Sequence, residues 1–260
     1  MMDLRLNDQT AIVTGASRGI GLAITRGLVA EGVRVTAGAL KSSAELDELA
    51  DTGMVRLVGA DLAGPDGPAM LVAAAGDRID ILVNNVGAAP ARTGGFGEIT
   101  DEDWLTSLML NLMAAVRTTR ATLPIMRAAG KGAIVNICSV NAYLPDPAVM
   151  DYSAAKAALA NFSKSLTKEV GPYGVRVNTI SPGPVATDLW LGEGGVAATV
   201  SAATGADPRE VASQAAHQMV TGRFTRPEEV ADVVLFLASD RAANITGADF
   251  AIDGGLVPTL

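Results

Sequence analysis

The chain of 260 residues carries 20 basic and 28 acidic side chains, and its formal net charge of −8 argues against nucleic acid as a partner. Cys138 is the only cysteine, which excludes an intrachain disulfide and a cysteine-based zinc site. No apolar run reaches the ~20 residues of a membrane-spanning helix, and the first residues do not resemble a secretory leader. We therefore expect a cytoplasmic protein without a membrane partner or a metal site.

Short β-branched runs alternate with longer Ala- and Leu-rich segments, which is the pattern of repeated βαβ units. The runs predict strands at residues 10–14, 33–37, 55–59, 79–84, 133–139, 175–181 and 249–252. The other segments predict helices at residues 19–30, 44–50, within 66–75, and at 101–129, 151–170 and 227–238. Thr100 with Asp103 should cap the fourth helix, and Pro124 should kink or split its end. Together they predict one α/β domain over residues 1–260, a doubly wound seven-stranded parallel sheet with helices on both faces.

One segment departs from this alternation. Residues 188–222 join a strand to a helix, and an insertion of this length is uncommon unless it covers a site. We interpret it as a substrate-covering lid, with a surface excursion of no function as the alternative. Its apolar side chains, such as Trp190 and Val196, predict a substrate with a sizeable apolar part. His217 also falls here, and an exposed helix position is favoured over a substrate contact.

A glycine-rich segment, Thr14-Gly-Ala-Ser-Arg-Gly-Ile-Gly21, follows the first predicted strand. Its G-x-x-x-G-x-G spacing differs from G-x-G-x-x-G, but it stands at the first βα junction. There the glycines permit a tight turn, and backbone N–H groups at the helix N-terminus can bind a pyrophosphate. The cofactor-binding candidates are Gly15, Ser17, Arg18, Gly19, Ile20 and Gly21.

The end of the second strand bears on the choice of cofactor. An acid there, roughly twenty residues beyond the glycines, would bind the ribose 2′-hydroxyl of NAD, and none is present. Gly38 occupies the expected position, while Arg18 and Lys41 could reach a 2′-phosphate. We therefore expect NADP(H), with NAD(H) as the alternative.

Tyr152 and Lys156 stand four residues apart, on one face of a predicted helix, and Ser139 ends the strand before it. A free phenol with a pKa near about 10 is a poor acid–base catalyst at neutral pH, and a nearby ammonium favours its ionised form. The pair alone is a weak pattern, because an ordinary amphipathic helix also contains such residues. Together with the glycine turn and Ser139 it indicates a hydride-transfer site.

In this combination the sequence resembles the short-chain dehydrogenase/reductase family, in its compact single-domain form with a Rossmann fold. The motifs that carry the resemblance are T-G-A-S-R-G-I-G at 14–21, Asp61-Leu62, N-N-V-G at 84–87, Asn111, Ser139, Tyr152-x-x-x-Lys156, S-P-G-P-V-A-T at 181–187, Gly222-Arg223, Arg226-Pro-Glu-Glu-Val230, Ile245-Thr-Gly247 and Asp253-Gly-Gly255. Val86 departs from the usual Ala of N-N-A-G, which should shift packing without abolishing binding.

The resemblance implies four catalytic residues. Tyr152 would be the acid–base, and Ser139 would orient and hydrogen-bond the substrate oxygen. Lys156 would lower the pKa of Tyr152 and bind the nicotinamide ribose, and Asn111 would hold a water that links Lys156 to a proton relay. No metal is needed.

Further cofactor contacts are implied by the same resemblance. Asp61 would hydrogen-bond the adenine while Leu62 offers its backbone. The segment near the adenosine and ribose would be lined by Asn84, Asn85 and Gly87. The nicotinamide would be held by Pro182, Gly183, Val185 and Thr187.

The substrate is less well defined. A 3-oxoacyl-acyl-carrier-protein reductase is the alternative, since such enzymes resemble this chain and tend to carry basic docking residues at two places. Arg127 and Lys131 supply bases at the first, but the loop around Tyr173 has none. A non-catalytic NADP-sensing protein is disfavoured, because it should lack a catalytic residue. Relatives also imply a homotetramer, or a homodimer, with the apolar segment 256–260 at an interface.

Overall fold

A computed structural model describes residues 3–259. Its strands are β1 (Thr10–Thr14), β2 (Arg34–Ala39), β3 (Val55–Gly59), β4 (Ile81–Asn84), β5 (Gly132–Ile137), β6 (Val175–Pro182) and β7 (Asp249–Ile252). All seven lie parallel in one sheet of order β3-β2-β1-β4-β5-β6-β7. The predicted doubly wound fold is confirmed, and strand order reverses between β1 and β4, where α/β sheets bind ligands.

Ten α-helices accompany the sheet in the described residues. They are α1 (Gly19–Ala30), α2 (Ala44–Asp51), α3 (Gly67–Ala75), α4 (Asp101–Leu108), α5 (Ala114–Ala129), α6 (Met150–Val170), α7 (Asp188–Leu191), α8 (Val196–Thr204), α9 (Pro208–His217) and α10 (Pro227–Ala238). Each is too short or too polar to cross a lipid bilayer. Helices α7, α8 and α9 lie in the predicted lid and were not predicted as separate elements.

Two hydrophobic cores flank the sheet because successive side chains of a strand point to opposite faces. Along β1, Ala11 and Val13 pack with α1 and α10 on one face. Ile12 between them packs with α3, α5 and α6 on the other. Burial of both faces explains why the strand sequences are continuously apolar instead of alternating.

The predicted helix over residues 101–129 is interrupted at a different place from the one expected. Thr100 and Asp103 form the predicted capping box. Pro124, however, lies inside α5 without ending it. The break is a π-helical turn at Met109–Met113, where Asn111 hydrogen-bonds the backbone of Ala88 in another segment. A contact so distant in sequence leaves no local pattern to predict it from.

Candidate active site

A cleft of about 1670 Å³ opens above the carboxyl ends of β1, β4, β5 and β6. It is larger than the roughly 300–1,000 Å³ of a site for one drug-sized ligand, so it has room for a dinucleotide and a substrate. The predicted site residues that line it are Gly15, Ser17, Arg18, Gly19, Ile20, Lys41, Asp61, Leu62, Asn85, Gly87, Ser139, Tyr152, Lys156, Pro182, Gly183, Val185 and Thr187. The fold thus brings segments from most of the chain to one opening.

The glycine turn is held in a shape suited to a phosphate group. Gly15 and Gly19 have φ values of 66° and 53°, which side chains other than glycine rarely adopt. Asn85 ties the turn to β4, because its side-chain amide donates to the carbonyls of Thr14 and Gly15 at 2.9 and 3.1 Å. Helix α1 has no side-chain cap and no acid in its first turn, so its N–H groups can bind an anion.

Gly21 and Asn84 do not line the cleft, contrary to our prediction. A Cβ on Gly21 would overlap the carbonyl oxygen of Gly15, so this glycine allows α1 to pack against the turn. Asn84 is buried, and its amide donates to Thr119 at 3.0 Å and to Asn136 at 2.8 Å. Asn84 is the last residue of β4 and Asn85 the first beyond it, and their side chains take opposite directions, so that Asn85 reaches the turn and Asn84 points into the core.

At the end of β2, the residue that faces the cofactor cleft is not Gly38, the position that we expected to distinguish NADP(H) from NAD(H). Gly38 is covered by Leu71, whose Cδ2 would lie 2.5 Å from a Cβ at residue 38. Ala39 lines the cleft instead, together with Lys41. Within residues 3–259, neither Lys41 nor Arg18 takes part in an ion pair. The mouth of the cleft therefore has two available cations and no acid at residue 39.

Asp61 and Leu62 follow β3 at the same end of the cleft. The Asp61 side chain is exposed, and its Oδ1 accepts a hydrogen bond from the backbone N–H of Ala63 at 3.0 Å. Leu62 is buried and packs with the α3 and α5 core. The carboxylate thus keeps an oxygen for a donor in the cleft.

The predicted catalytic side chains meet where β5 and α6 face each other. Ser139 Oγ donates to Asn141 Oδ1 at 3.2 Å and accepts from the Asn141 backbone at 3.1 Å. Lys156 is buried, and its Nζ donates to the carbonyl of Ile137 at 2.7 Å. This ammonium lies 5.6 Å from the centre of the Tyr152 ring. A phenol, a hydroxyl and an ammonium therefore share the inner wall of the cleft.

The electrostatics of Tyr152 differ from our expectation. Burial raises the pKa of the phenol to about 12, although a hydrogen bond with Ser139 acts in the opposite direction. Burial also lowers the pKa of Lys156, because the low-dielectric interior disfavours its charged form. In this structure desolvation outweighs any effect of Lys156 on the pKa of Tyr152. The phenol of Tyr152 is therefore protonated at neutral pH.

Asn111 lies behind the cleft wall and not in it. A Cβ on Gly87 would lie 2.7 Å from Asn111 Oδ1 and 3.5 Å from Lys156 Nζ, so a glycine is needed where these groups converge. The Asn111 amide donates to the carbonyl of Ala88 at 3.0 Å, and its Oδ1 accepts from the Ala88 N–H at 3.1 Å. The π-helical turn therefore fixes the loop after β4 beside Lys156.

The segment after β6 forms one wall of the cleft. Gly183 lies against Asp253, whose Cα would be 3.0 Å from an added Cβ. Thr187 reaches the glycine turn, because its Cγ2 would lie 3.1 Å from a Cβ on Gly19. These approaches place the segment opposite α1, across the opening that a dinucleotide would span.

The predicted lid, residues 188–222, contributes mainly apolar surface to the outer cleft. Leu189, Trp190 and Val196 line it, and the Trp190 ring packs edge-on against Phe224 with centroids 5.3 Å apart. His217 is exposed and bonds the carbonyl of Ser213 at 2.7 Å, as an incidental helix position would.

Sequence reasoning missed several side chains of this site. Ala39, Asn141 and Leu256 line the cleft, and Arg92 binds the start of α6. Asn141 could have been noticed as a polar residue two positions after Ser139. Leu256, which we assigned with the segment 256–260 to a subunit interface, lines the cleft, because the turn at residues 253–255 brings it back. Leu260 lies outside the described residues.

The two bases considered for acyl-carrier docking are engaged within the chain. Arg127 stacks on Tyr173, with its Cζ 3.8 Å from the ring centre. Lys131 pairs with Asp80 at 3.1 Å. Both lie near the opposite end of the sheet from the cleft, since β5 begins beside Lys131.

A family model described as enoyl-(acyl carrier protein) reductase matches residues 15–257. The chain belongs to the short-chain dehydrogenase/reductase family. It is 39% identical to D-threitol dehydrogenase of Mycolicibacterium smegmatis, over 97% of this chain and 94% of that protein. It is 36% identical to 3-oxoacyl-[acyl-carrier-protein] reductase of Synechocystis sp., over 97% and 98% of the two chains.

Among solved structures, L-sorbose reductase from Gluconobacter frateurii, complexed with NADPH and L-sorbose, is similar to this chain. The TM-score is 0.90, with 35% sequence identity, and each chain is covered completely. This short-chain dehydrogenase/reductase is therefore an oxidoreductase of CH–OH and C=O groups that uses NAD(P). The resemblance found in the sequence is confirmed.

Proposed function

We propose that this protein is an NADP(H)-dependent oxidoreductase that interconverts a ketone and a secondary alcohol, with Tyr152 as its acid–base. One observation carries the proposal: Ser139, Tyr152 and Lys156 line the same cleft as the glycine turn. NADPH, when bound, would supply the hydride that the carbonyl carbon receives. A protein that only senses the cofactor would not need these three groups in one place.

During reduction the Tyr152 hydroxyl gives its proton to the carbonyl oxygen as that oxygen gains charge. Ser139 must turn its hydroxyl from Asn141 to the same oxygen and stabilise it by a second hydrogen bond. Lys156 then stabilises the phenolate left on Tyr152, from a buried site where its charge is poorly screened. Asn111 holds the loop beside Lys156, where a new proton can enter.

The raised pKa of Tyr152 predicts different pH profiles for the two directions. Reduction requires the protonated phenol, so its rate should be flat from about pH 6 to 9. Oxidation requires the phenolate, so its rate should rise about tenfold per pH unit between about pH 7 and 10. Initial rates at saturating cofactor would test this. A plateau of the oxidation rate near neutral pH would show that Lys156 lowers the pKa once cofactor is bound.

NADP(H) is preferred in this proposal because Arg18 and Lys41 flank the mouth of the cleft and residue 39 is not an acid. The bound NADPH of L-sorbose reductase supports the same choice. NAD(H) remains the second candidate.

Ala39→Asp is expected to reverse the cofactor preference. The new carboxylate would repel a 2′-phosphate and accept a hydrogen bond from a ribose 2′-hydroxyl. We expect the kcat/KM ratio of NADPH to NADH to fall by about a hundredfold, or ~2.7 kcal/mol. Ala39→Asn is the matched control, as it adds the same volume without charge. If Asn and Asp change the ratio equally, charge is not the cause.

For the substrate, we propose a ketone or alcohol with a sizeable apolar part, held under the lid of residues 188–222. The Leu, Trp and Val side chains facing the cleft support this. A small polyol or ketose is the second candidate, because Asn141 adds an amide beside Ser139 and two similar proteins are named for such compounds. A 3-oxoacyl-acyl-carrier-protein substrate is the third, supported by the Synechocystis relative but not by Arg127 and Lys131.

A substrate panel distinguishes these candidates. NADPH oxidation would be followed with 2-octanone, L-sorbose, L-erythrulose and an acetoacetyl thioester, the last both free and on acyl-carrier protein. Fast turnover of 2-octanone supports the apolar candidate, and preference for either sugar supports the second. Acceleration by the carrier protein supports the third. If none of these compounds causes NADPH oxidation although the protein binds NADPH, the proposed activity is contradicted.

We also propose that the enzyme works in the cytoplasm as a homotetramer, or as a homodimer. The exposed side chains of Leu105, in α4, and Phe96, shortly before it, are apolar surface that a second copy could cover. Light scattering should give a mass about four or two times that of the chain. A monomeric mass would overturn this.

A further inference from the structure

Arg92, in the loop after β4, joins three parts of the site. Its Nη2 lies 2.7 Å from Asp151 Oδ2, at the start of α6, and its Nη1 lies 2.9 Å from Asp103 Oδ1, at the start of α4. Its backbone N–H donates to the carbonyl of Ala148 at 2.7 Å. The residue is 19% exposed, and Asp151 is completely buried.

The contacts of Arg92 with Asp151 are relevant to catalysis because of where Asp151 lies in the chain. Asp151 directly precedes Tyr152, so a shift of its carboxylate moves the first turn of α6 and the phenol with it. That turn lacks a cap of its own, because Val149 at the N-cap offers no side-chain hydrogen bond. In contrast, the N-terminus of α4 is capped by the reciprocal hydrogen bonds of Thr100 and Asp103. The anchor of the catalytic helix therefore comes from another segment.

The second ion pair of Arg92, with Asp103, connects it through α4 to Asn111. Asp103 lies in the first turn of α4, which continues through the π-helical turn to Asn111. Asn111 in turn hydrogen-bonds both backbone groups of Ala88, four residues before Arg92. A closed ring of contacts thus joins the loop to α4, and the Arg92–Asp151 pair attaches the start of α6, which carries Tyr152, to this ring.

We propose that Arg92 is a positioning residue for Tyr152, which acts by fixing the start of α6 to α4 and to the loop after β4. This inference rests on the proposed acid–base role of Tyr152. A planar guanidinium can bind two carboxylates in fixed directions, whereas a lysine ammonium cannot reproduce that geometry. A misplacement of about 1 Å at a reacting group can cost roughly a hundredfold in rate.

The test compares Arg92→Gln, Arg92→Lys and the double variant Arg92→Gln/Asp151→Asn. Rates are measured with NADPH and the fastest ketone of the panel, per NADPH-binding site and well below the unfolding temperature. The single Gln variant leaves a buried carboxylate unpaired and should lose stability. The double variant removes that charge, so its Tm should return close to that of the wild type.

If Arg92 positions Tyr152, the double variant should regain its Tm but not its kcat. If Arg92 only stabilises the fold, both should recover. We expect the kcat of the double variant to stay about tenfold or more below wild type, since one amide cannot hold three segments. With 4-deuterated NADPH the isotope effect on kcat should increase, because hydride and proton transfer become slower than product release. Arg92→Lys should be intermediate, and NADPH affinity should change less than about threefold.

Arg176→Gln is the matched control. This arginine also joins separate segments, by hydrogen bonds to the carbonyls of Leu237, Ala238, Ser239 and Ile245, and it is remote from the cleft. It should lower Tm without changing kcat per binding site or the isotope effect. Recovery of wild-type kcat in the double variant would overturn the role of Arg92. If Tyr152→Phe keeps its activity, the proposed function fails instead.

Discussion

Tyr152→Phe is expected to lower kcat by about a thousandfold or more, within the range that a positioned acid–base residue contributes. The substitution removes the hydroxyl that gives a proton to the carbonyl oxygen, but it keeps the ring that packs in the cleft. Binding of NADPH, measured by fluorescence titration, should change less than about threefold. Tm should change little, because only one hydrogen bond, to Ser139, is lost.

Tyr173→Phe is the control for this prediction. Tyr173 is exposed and stacks under Arg127 outside the cleft, so loss of its hydroxyl should leave kcat unchanged. Substantial turnover by the Tyr152 variant would contradict its acid–base role and would direct the search to another proton donor. Equal losses in both variants would indicate a general effect on folding.

Gly21→Ala is expected to have the second large effect, although Gly21 does not line the cleft. Its new methyl group would overlap the Gly15 carbonyl oxygen and come within 2.5 Å of the Asn85 amide nitrogen. Helix α1 must then move away from the glycine turn, at a cost of about 3 kcal/mol. We expect a clear loss of Tm and NADPH affinity about a hundredfold weaker, because the turn no longer presents its N–H groups correctly.

Gly97→Ala is the matched control, since no heavy atom lies within 4 Å of its added methyl group. It should change Tm and NADPH affinity little. Calorimetry and fluorescence titration would measure both variants. If Gly21→Ala binds NADPH as tightly as the wild type, close packing of α1 on the turn is not required for the phosphate site.

Several features of the site could be predicted because they depend on nearby residues. The Thr100–Asp103 capping box joins residues three positions apart, and Tyr152 with Lys156 lies on one helical face. The glycine turn could be recognised because a strand, a tight turn and a helix follow one another within a few residues. Features that involve only neighbouring residues can be predicted directly from residue type and spacing.

Other features could not be predicted, since they depend on packing between distant segments. Ala39 replaces Gly38 at the cleft because Leu71 covers the glycine from another element. Asn84 and Asn85 look equivalent in the sequence, yet one bonds Asn136 in the core and the other bonds the turn. Which face a strand residue takes is decided by the register of the whole sheet.

The sequence by itself determined the alternation of strands and helices, the family, and the order of residues that meet at the carboxyl ends of the strands. Only the tertiary structure decided the raised pKa of Tyr152, because desolvation arises from the atoms that surround a group. It also decided that Arg92 reaches Asp151, 59 residues along the chain. Burial and long-range ion pairs are properties of the packed molecule, so they cannot be predicted from the spacing of residues in the sequence.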